Sequence, residues 1–178
     1  GFHDGRGLVA ALAYGADAIA MGTRFLLTSD SSVPDEVKQL YLGRGVTDTV
    51  VTTRVDGVPH RVLRTELVEQ LESASNRLTS LPKALVNAQR FKGMTGVSFR
   101  DMWREGNAMR RAMDLSWSQM IMAANTPMLL KAGLVDGNTE SGVLASGQVV
   151  GVLDDLPSCD ELVARIMGEA EATLARLT

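Results

Sequence analysis

The stretch that decides the fold class is the first one, GFHDGRGLVAALAYGADAIAMGTRFLL, at residues 1–27. Residues 7–14 are rich in good helix formers, and Gly15 follows where a left-handed helix end is favoured. Residues 16–21, ADAIAM, form a short apolar run that fits a buried parallel strand. A helix followed at once by a strand is the repeating step of α/β proteins, so we predict an α/β fold.

Composition and charge narrow the function classes. The 178 residues suffice for one domain with its own core, and the net charge of -3 gives no reason to expect a nucleic-acid partner. No apolar run is long enough to cross a membrane, and no secretion signal is evident. A single cysteine and two widely separated histidines argue against a disulfide and against a zinc site. We therefore expect a cytoplasmic protein without a metal.

The rest of the chain has weaker sequence patterns, which predict further helices, extended segments and a loop. Pro34 with two following acids predicts a helix that runs to about residue 42. Two extended segments, 49–55 and 58–65, flank an Asp-Gly turn, and a helical pattern begins at Glu66. Residues 136–142 read as a loop. Ser158 and Glu161 have the spacing of a capping box that opens a terminal helix. Its apolar stripe would comprise Leu162, Ile166, Ala170, Leu174 and Leu177.

Two glycine-bearing loops, GFHDGRG (1–7) and MGTRF (21–25), are each predicted to follow a strand. They would then lie at the carboxyl edge of a parallel sheet, where α/β proteins bind ligands. Glycine lets backbone amides approach a phosphate, a following helix N-terminus adds donors, Thr23 adds a hydroxyl and Arg24 could add charge. The spacing matches the phosphate site after the last two strands of a (β/α)8 barrel. An ordinary tight turn is the alternative that the same spacing allows.

Residues 1–28 resemble the C-terminal half of the nitronate monooxygenase family, formerly called 2-nitropropane dioxygenases, and LASGQVVGVL (144–153) resembles a later segment of that family. The resemblance implies an α/β fold: the C-terminal portion of an FMN-binding (β/α)8 barrel, followed by a mainly helical region. It suggests the last αβ step over 1–30 and a mainly helical cap on the substrate side over 31–135. Residues 136–178 would then supply a flavin-proximal loop and the C-terminal helix of the barrel.

The same resemblance implies which residues lie at the FMN. Four of them would contact its phosphate, largely through backbone amides, and the Gly-Gln pair would lie near the flavin: Gly1, Phe2, Gly22, Thr23, Gly147 and Gln148. No catalytic residue is assigned, because the family's catalytic histidine lies upstream of the matched motif. His3 is interpreted as a loop residue near the phosphate. We therefore expect this chain to be a fragment of a longer flavoenzyme, with weak FMN binding and no activity alone.

Three functions remain open. The resemblance favours an FMN-dependent oxidoreductase that oxidises a small nitronate-type substrate with O2. The alternative is an NAD(P)H-dependent flavin reductase or dehydrogenase of an enoyl- or acyl-CoA in lipid or steroid-ring breakdown, because the same fold class includes FMN-dependent enoyl-thioester reductases. The third is a non-catalytic helical interaction domain. We expect a small-molecule substrate with O2 or NAD(P)H as co-substrate, and we allow for a homodimer.

Other reactive or unusual side chains have plainer interpretations. His60 is expected to have a surface role and Cys159 to be a packed or exposed thiol. The methionine- and tryptophan-rich stretch over 103–128 is interpreted as core filler, with a soft pocket for an apolar substrate as the alternative.

Overall fold

The computed structural model describes residues 1–73 and 125–177. These residues belong to two compact units, one formed by Gly1–Thr49 with Ser146–Thr178 and the other by Val50–Ala145. The helical stretch expected between residues 74 and 122 lies outside the described residues, so the mainly helical region and the three-part division stay predictions. In the part of the chain that the structure describes, no helix is long and apolar enough to cross a membrane.

The described elements follow one another along the chain. They are α1 (Gly5–Ala13), α2 (Thr23–Leu26), α3 (Asp35–Leu42), β1 (Thr49–Thr52), β2 (His60–Leu63), α4 (Glu66–Ser73), α5 (Asn125–Leu134), a 3₁₀ helix (Gln148–Val152) and α6 (Cys159–Leu177).

Helix α1 has both of its ends fixed by local hydrogen bonds. At the start, the Gly7 amide donates to Asp4 Oδ1 at 2.8 Å, which makes Asp4 the N-cap. At the end, Gly15 has a φ of +91°, and the Ala16 amide donates to the Ala11 carbonyl at 3.1 Å. This is the left-handed Schellman ending that glycine permits, as the sequence predicts.

The buried strand predicted over residues 16–21 is not formed. The segment carries no strand pairing, and most of it is exposed to solvent, with only Ile19 and Met21 half-buried. A parallel strand is stabilised by neighbours on both edges and by helices on both faces. Among residues 1–73 and 125–177 no segment pairs with it, so its apolar side chains have no sheet in which to be buried.

Helices α1 and α6 pack against each other through Gly5. A Cβ placed on Gly5 would lie 2.3 Å from the Ile166 carbonyl oxygen and 2.4 Å from the Ala170 nitrogen, so only glycine fits. The predicted stripe of α6 is buried at Leu162, Ile166 and Ala170, whereas its last two members, Leu174 and Leu177, are 50% and 74% exposed. The nine residues of α1 are too few to cover the 19 residues of α6.

The predicted capping box at the start of α6 is confirmed. The Ser158 amide donates to Glu161 Oε2 at 2.8 Å, and the Glu161 amide donates to Ser158 Oγ at 3.2 Å. Cys159 is the first residue of the helix; its amide donates to Asp30 Oδ2 at 2.6 Å, and its half-buried thiol lies 3.7 Å from Thr28 Oγ1. These contacts give Cys159 a packing role.

The second unit contains a two-stranded sheet of β1 and β2, which confirms the two extended segments predicted around the Asp-Gly turn. Gly57 in that turn has a φ of +88°. Antiparallel bridging of Val62 to Ala145 extends β2, and the Leu63 amide donates to the Leu144 carbonyl at 2.8 Å. Residues 136–142 form the predicted loop.

The described residues of the second unit include an apolar cluster. Its fully buried members are Val55, Val62, Val68 and Val143, with Val50, Leu67, Leu129 and Leu130 packed against them. Helix α4 begins at Glu66, as predicted, but it buries Val68 most deeply, while Leu67 and Leu71 lie half-buried at the sides.

Candidate cofactor site

The turn formed by Gly22 and Thr23 opens the candidate site. Gly22 has a φ of -86°, which any residue adopts, and a Cβ placed on it would have no neighbour within 4 Å among residues 1–73 and 125–177. The amides of Gly22 and Thr23 have no hydrogen-bond partner among the described residues. A glycine turn binds an anion through backbone amides that have no other partner and that face open space, and the Gly22–Thr23 turn has this arrangement.

Gly147 and Gly1 lie against this turn within the first unit. The Gly147 amide donates to Thr23 Oγ1 at 2.8 Å. Since a threonine hydroxyl accepts and donates at once, this bond leaves the hydroxyl proton of Thr23 for another acceptor. Cβ atoms placed on Gly1 and Gly147 would lie 3.5 and 3.6 Å from the same atom, Val149 Cγ1. Val149, a residue that the sequence does not mark as functional, thus lies against both Gly1 and Gly147, and Gly147 is bonded to Thr23.

Phe2 and Gln148 are the neighbours of Gly1 and Gly147 in the chain. Phe2 has an apolar side chain, and the Gln148 side chain forms no hydrogen bond with the described residues. The Phe2 ring lies over Gly7, whose Cβ position is 3.0 Å from Phe2 Cδ1, and Phe2 is 39% exposed. Gln148 begins the 3₁₀ helix with its side chain exposed. Any contact of these two residues with a phosphate or a flavin therefore remains a prediction.

The N-terminus of α1 is not available to a phosphate, contrary to the expectation that a helix start would add donors to the first loop. The Gly5 amide donates to Glu169 Oε2 at 2.8 Å, and the Gly7 amide donates to Asp4 Oδ1. Burial alone would raise the pKa of Asp4, but the Gly7 amide and the Arg6 guanidinium hold it below its usual value. Two carboxylates therefore already fill the place that an anion would take.

The other two candidate side chains in the loops, Arg24 and His3, also have partners within the protein. The Arg24 guanidinium is buried and donates to Asp155, so its charge is not directed at the Gly22 turn through those donors. His3 is half-buried, with Nε2 4.0 Å from Asp4 Oδ2. Neither side chain stands free in the first unit.

A second polar cluster lies in the other unit, around Asp56. This carboxylate is 5% exposed and accepts from the Thr126 hydroxyl at 2.6 Å and from the Val58 amide at 2.8 Å, and His60 Nε2 lies 2.8 Å from it. Burial would raise the pKa of Asp56, but the bonds from Thr126, Val58 and His60 hold it below its usual value. His60 thus pairs with a buried carboxylate and is not simply a surface residue.

The Asp56 cluster has the residue types of a hydrolytic triad but not its connectivity. Both Thr126 and His60 bond to the same oxygen, Asp56 Oδ2. A nucleophilic hydroxyl must instead give its proton to the imidazole. The cluster therefore stabilises the turn before β2 against α5 and does not activate Thr126.

Replacing Thr126 with valine should lower the free energy of unfolding by about 1.5–3 kcal/mol, because a buried carboxylate loses a charged hydrogen bond. Because the folded-state pKa of Asp56 is depressed, it contributes stability that is fully present above about 3.9, the ordinary aspartate value, and that is lost as the pH falls below this toward the lower folded-state pKa. With one donor removed, the pKa of Asp56 moves back toward that value, so stability falls less steeply in acid. Urea unfolding between neutral and acid pH measures both effects.

Thr53→Val is the matched control, since Thr53 is exposed in the same unit. An acid dependence in the Thr126 variant as steep as that of the Thr53 variant would contradict the assignment.

Among the described residues, no group of three or more His, Cys, Asp or Glu side chains could hold a metal ion.

Comparison with known proteins gives these sites a family context. The family model for nitronate monooxygenase matches residues 1–169. The chain is 66% identical over 170 residues to a (3aS,4S,5R,7aS)-5-hydroxy-7a-methyl-1-oxo-octahydro-1H-indene-4-carboxyl-CoA dehydrogenase from Mycobacterium tuberculosis, and 60% identical to the protein of that name from Rhodococcus jostii. Each match covers 96% of this chain and 48% of the relative, so the chain spans about half the length of these relatives.

Among solved structures, FabK from Thermotoga maritima is similar, with a TM-score of 0.64 and 26% identity over 99% of this chain and 44% of that one. The likeness supports the α/β class and a portion of a barrel. With the family model covering residues 1–169, the result is plain: the chain belongs to the nitronate monooxygenase family.

Proposed function

We propose that this chain supplies the phosphate-binding part of an FMN site in a flavin-dependent oxidoreductase. The observation that carries the proposal is the Gly22–Thr23 turn, where two backbone amides without partners among the described residues adjoin open space. Thr23 adds its hydroxyl proton, since Gly147 occupies only an acceptor position of that oxygen. Gly1 and Phe2 would approach the same phosphate through their backbone.

The residues present fit a phosphate monoester at this turn better than at the other loop. In the part of the chain that the structure describes, no atom lies within 4 Å of a Cβ placed on Gly22, whereas the amides of Gly5 and Gly7 already donate to carboxylates. A phosphate near Asp4 and Glu169 would meet two negative charges, which disfavours it there. When bound, FMN supplies a two-electron acceptor and donor. This chain's own residues would bind and orient its phosphate.

For the reaction, we favour dehydrogenation of a hydroxylated, fused-ring carboxyl-CoA thioester. The support is the printed activity of the two relatives that are 66% and 60% identical to the chain. These names agree with part of the alternative predicted from the sequence, a dehydrogenase of an acyl-CoA; the NAD(P)H co-substrate of that alternative stays a prediction. The second candidate is oxidation of a small nitronate with O2, which the description of the family model favours.

Anaerobic reduction of the bound flavin distinguishes these candidates. We expect the full-length holoprotein to lose its flavin absorbance on mixing with a hydroxyindane-carboxyl-CoA thioester and to keep it with an alkyl nitronate. The matched control is acetyl-CoA, which keeps the CoA thioester but whose acyl group has neither a hydroxyl nor a β-carbon, so it has no pair of hydrogens to give to the flavin. Bleaching by the nitronate alone would reject the dehydrogenase and favour the second candidate. A full-length protein that binds no flavin would reject both.

A further inference from the structure

Arg24 follows the Gly22–Thr23 turn directly and is buried with its charge. Its side chain is 4% exposed, and Nη1 donates to Asp155 Oδ1 at 2.9 Å. Nη2 donates to the Leu27 carbonyl at 2.7 Å and to the Asp155 carbonyl at 3.1 Å. One guanidinium therefore ties the end of α2 to the segment that precedes α6.

The Asp155 carboxylate is shared between two arginines. Its second oxygen accepts from Arg165 Nη1 at 2.6 Å. Burial would raise the pKa of Asp155, but the bonds from Arg165 and Arg24 hold it below its usual value. The carboxylate therefore stays ionised at neutral pH and neutralises Arg24, which leaves that arginine a fixed geometric link and not a free positive charge.

Burying the Arg24 side chain costs free energy, and packing alone does not explain why an arginine occupies this position. Its Nε is buried and has no hydrogen-bond partner among residues 1–73 and 125–177. A buried donor without a partner is uncommon in proteins, and an apolar side chain would fill the same place without it. What the guanidinium provides instead is a rigid planar fork that reaches two carbonyls and a carboxylate at once.

The turn is thereby held from two sides by one segment of the chain. Thr23 accepts from Gly147 on one side, and Arg24 donates to Asp155 on the other. Gly22 itself has no side chain to fix its orientation. A ligand held by backbone amides binds well only when those amides are already oriented, because ordering them on binding subtracts from the affinity.

We propose that Arg24 is a positioning residue for the cofactor phosphate: it orients the Gly22 and Thr23 amides through Asp155 and the Leu27 carbonyl, by geometry and not by charge. This inference rests on the proposed FMN site. It predicts that substitutions of Arg24 weaken the binding of a phosphate-bearing flavin and spare the binding of the same flavin without its phosphate.

The test compares FMN with riboflavin in the full-length apoprotein. For Arg24→Gln we expect the dissociation constant of FMN to rise at least about tenfold, the equivalent of about 1.4 kcal/mol, while that of riboflavin changes less than about twofold. Arg24→Lys should behave like Arg24→Gln, because an ammonium cannot make the three contacts of the fork. Arg165→Gln is the control: it removes the exposed partner of the same carboxylate and should leave both affinities within about twofold.

Three results would overturn the inference. Equal loss of FMN and riboflavin binding would mean that Arg24 only stabilises the fold. Recovery of wild-type FMN affinity in Arg24→Lys would mean that charge, not geometry, matters. Unchanged FMN affinity in both variants would mean that the turn needs no anchor. A wild-type protein that binds riboflavin as tightly as FMN would instead reject the phosphate site itself, so the two failures are distinguishable.

Discussion

Replacing Gly22 with valine should lower FMN affinity by at least about 100-fold, about 2.7 kcal/mol, and leave the apoprotein as stable as the wild type. The backbone of Gly22 suits any residue, and a Cβ there meets no described atom within 4 Å, so we expect the fold to stay unchanged. The branched side chain would nevertheless occupy the space beside the two free amides, where we place the phosphate. Titration of the full-length apoprotein with FMN, beside urea unfolding of the same sample, measures both quantities.

Gly168→Val is the matched control for that experiment. Gly168 is also exposed with open space around its Cβ position, but it lies in α6, away from the turn. We expect its FMN affinity to stay within about twofold of the wild type, a difference of under about 0.5 kcal/mol. If the Gly22 variant also kept its flavin and its activity, the phosphate site would be rejected, and the non-catalytic interaction domain would become the better interpretation.

Replacing Gly5 with alanine should have the opposite signature, a large loss of stability. The added Cβ would lie 2.3 and 2.4 Å from backbone atoms of Ile166 and Ala170, which cannot rotate away as a side chain can. The helices α1 and α6 must separate, which also lengthens the bond from the Gly5 amide to Glu169. Overpacking typically costs 1–3 kcal/mol, and backbone contacts this short place Gly5→Ala at about 3 kcal/mol or more.

Gly168→Ala is the control for the stability change, because it makes the same substitution inside a helix with open space around it. Helix propensity alone predicts a gain of about 0.5–1 kcal/mol there. Urea unfolding of the two variants should therefore give free-energy changes of opposite sign. A Gly5→Ala protein within about 0.5 kcal/mol of the wild type would show that α1 and α6 do not pack through this glycine.

Features set by neighbouring residues were predictable from the sequence. The left-handed end of α1 at Gly15 and the capping box of Ser158 and Glu161 both form as predicted, because each depends on hydrogen bonds within a few residues. The loop over 136–142 and the turn at Gly57 belong to the same class. In each case the groups that stabilise the local structure lie within a few residues of one another in the sequence.

Features that depend on distant partners were not predictable. The buried strand over 16–21 was wrong because its apolar pattern says nothing about whether another strand lies beside it. The bond from Arg24 to Asp155 joins residues 131 positions apart, and that from Gly5 to Glu169 joins residues 164 apart. Nothing in the sequence around Asp155, which precedes α6, or around Glu169, which lies within it, indicates the guanidinium or the amide that each will meet.

The candidate site shows the same division. The Gly22–Thr23 turn was found because a glycine followed by a threonine after an apolar run is a local pattern. The contribution of Val149, which touches the Cβ positions of both Gly1 and Gly147, was missed because valine offers no chemical signal. The Asp56 cluster was missed for a different reason: the donor Thr126 lies 70 positions away in the sequence.

A crystal structure of the full-length protein with FMN tests the central claim most directly. We expect phosphate oxygens at hydrogen-bond distance, about 2.7–3.2 Å, from the amides of Gly22 and Thr23. We also expect the Gly147 amide to donate to the Thr23 hydroxyl oxygen in that complex. A phosphate bound anywhere else, including the N-terminus of α1 with Glu169 displaced, would contradict the claim.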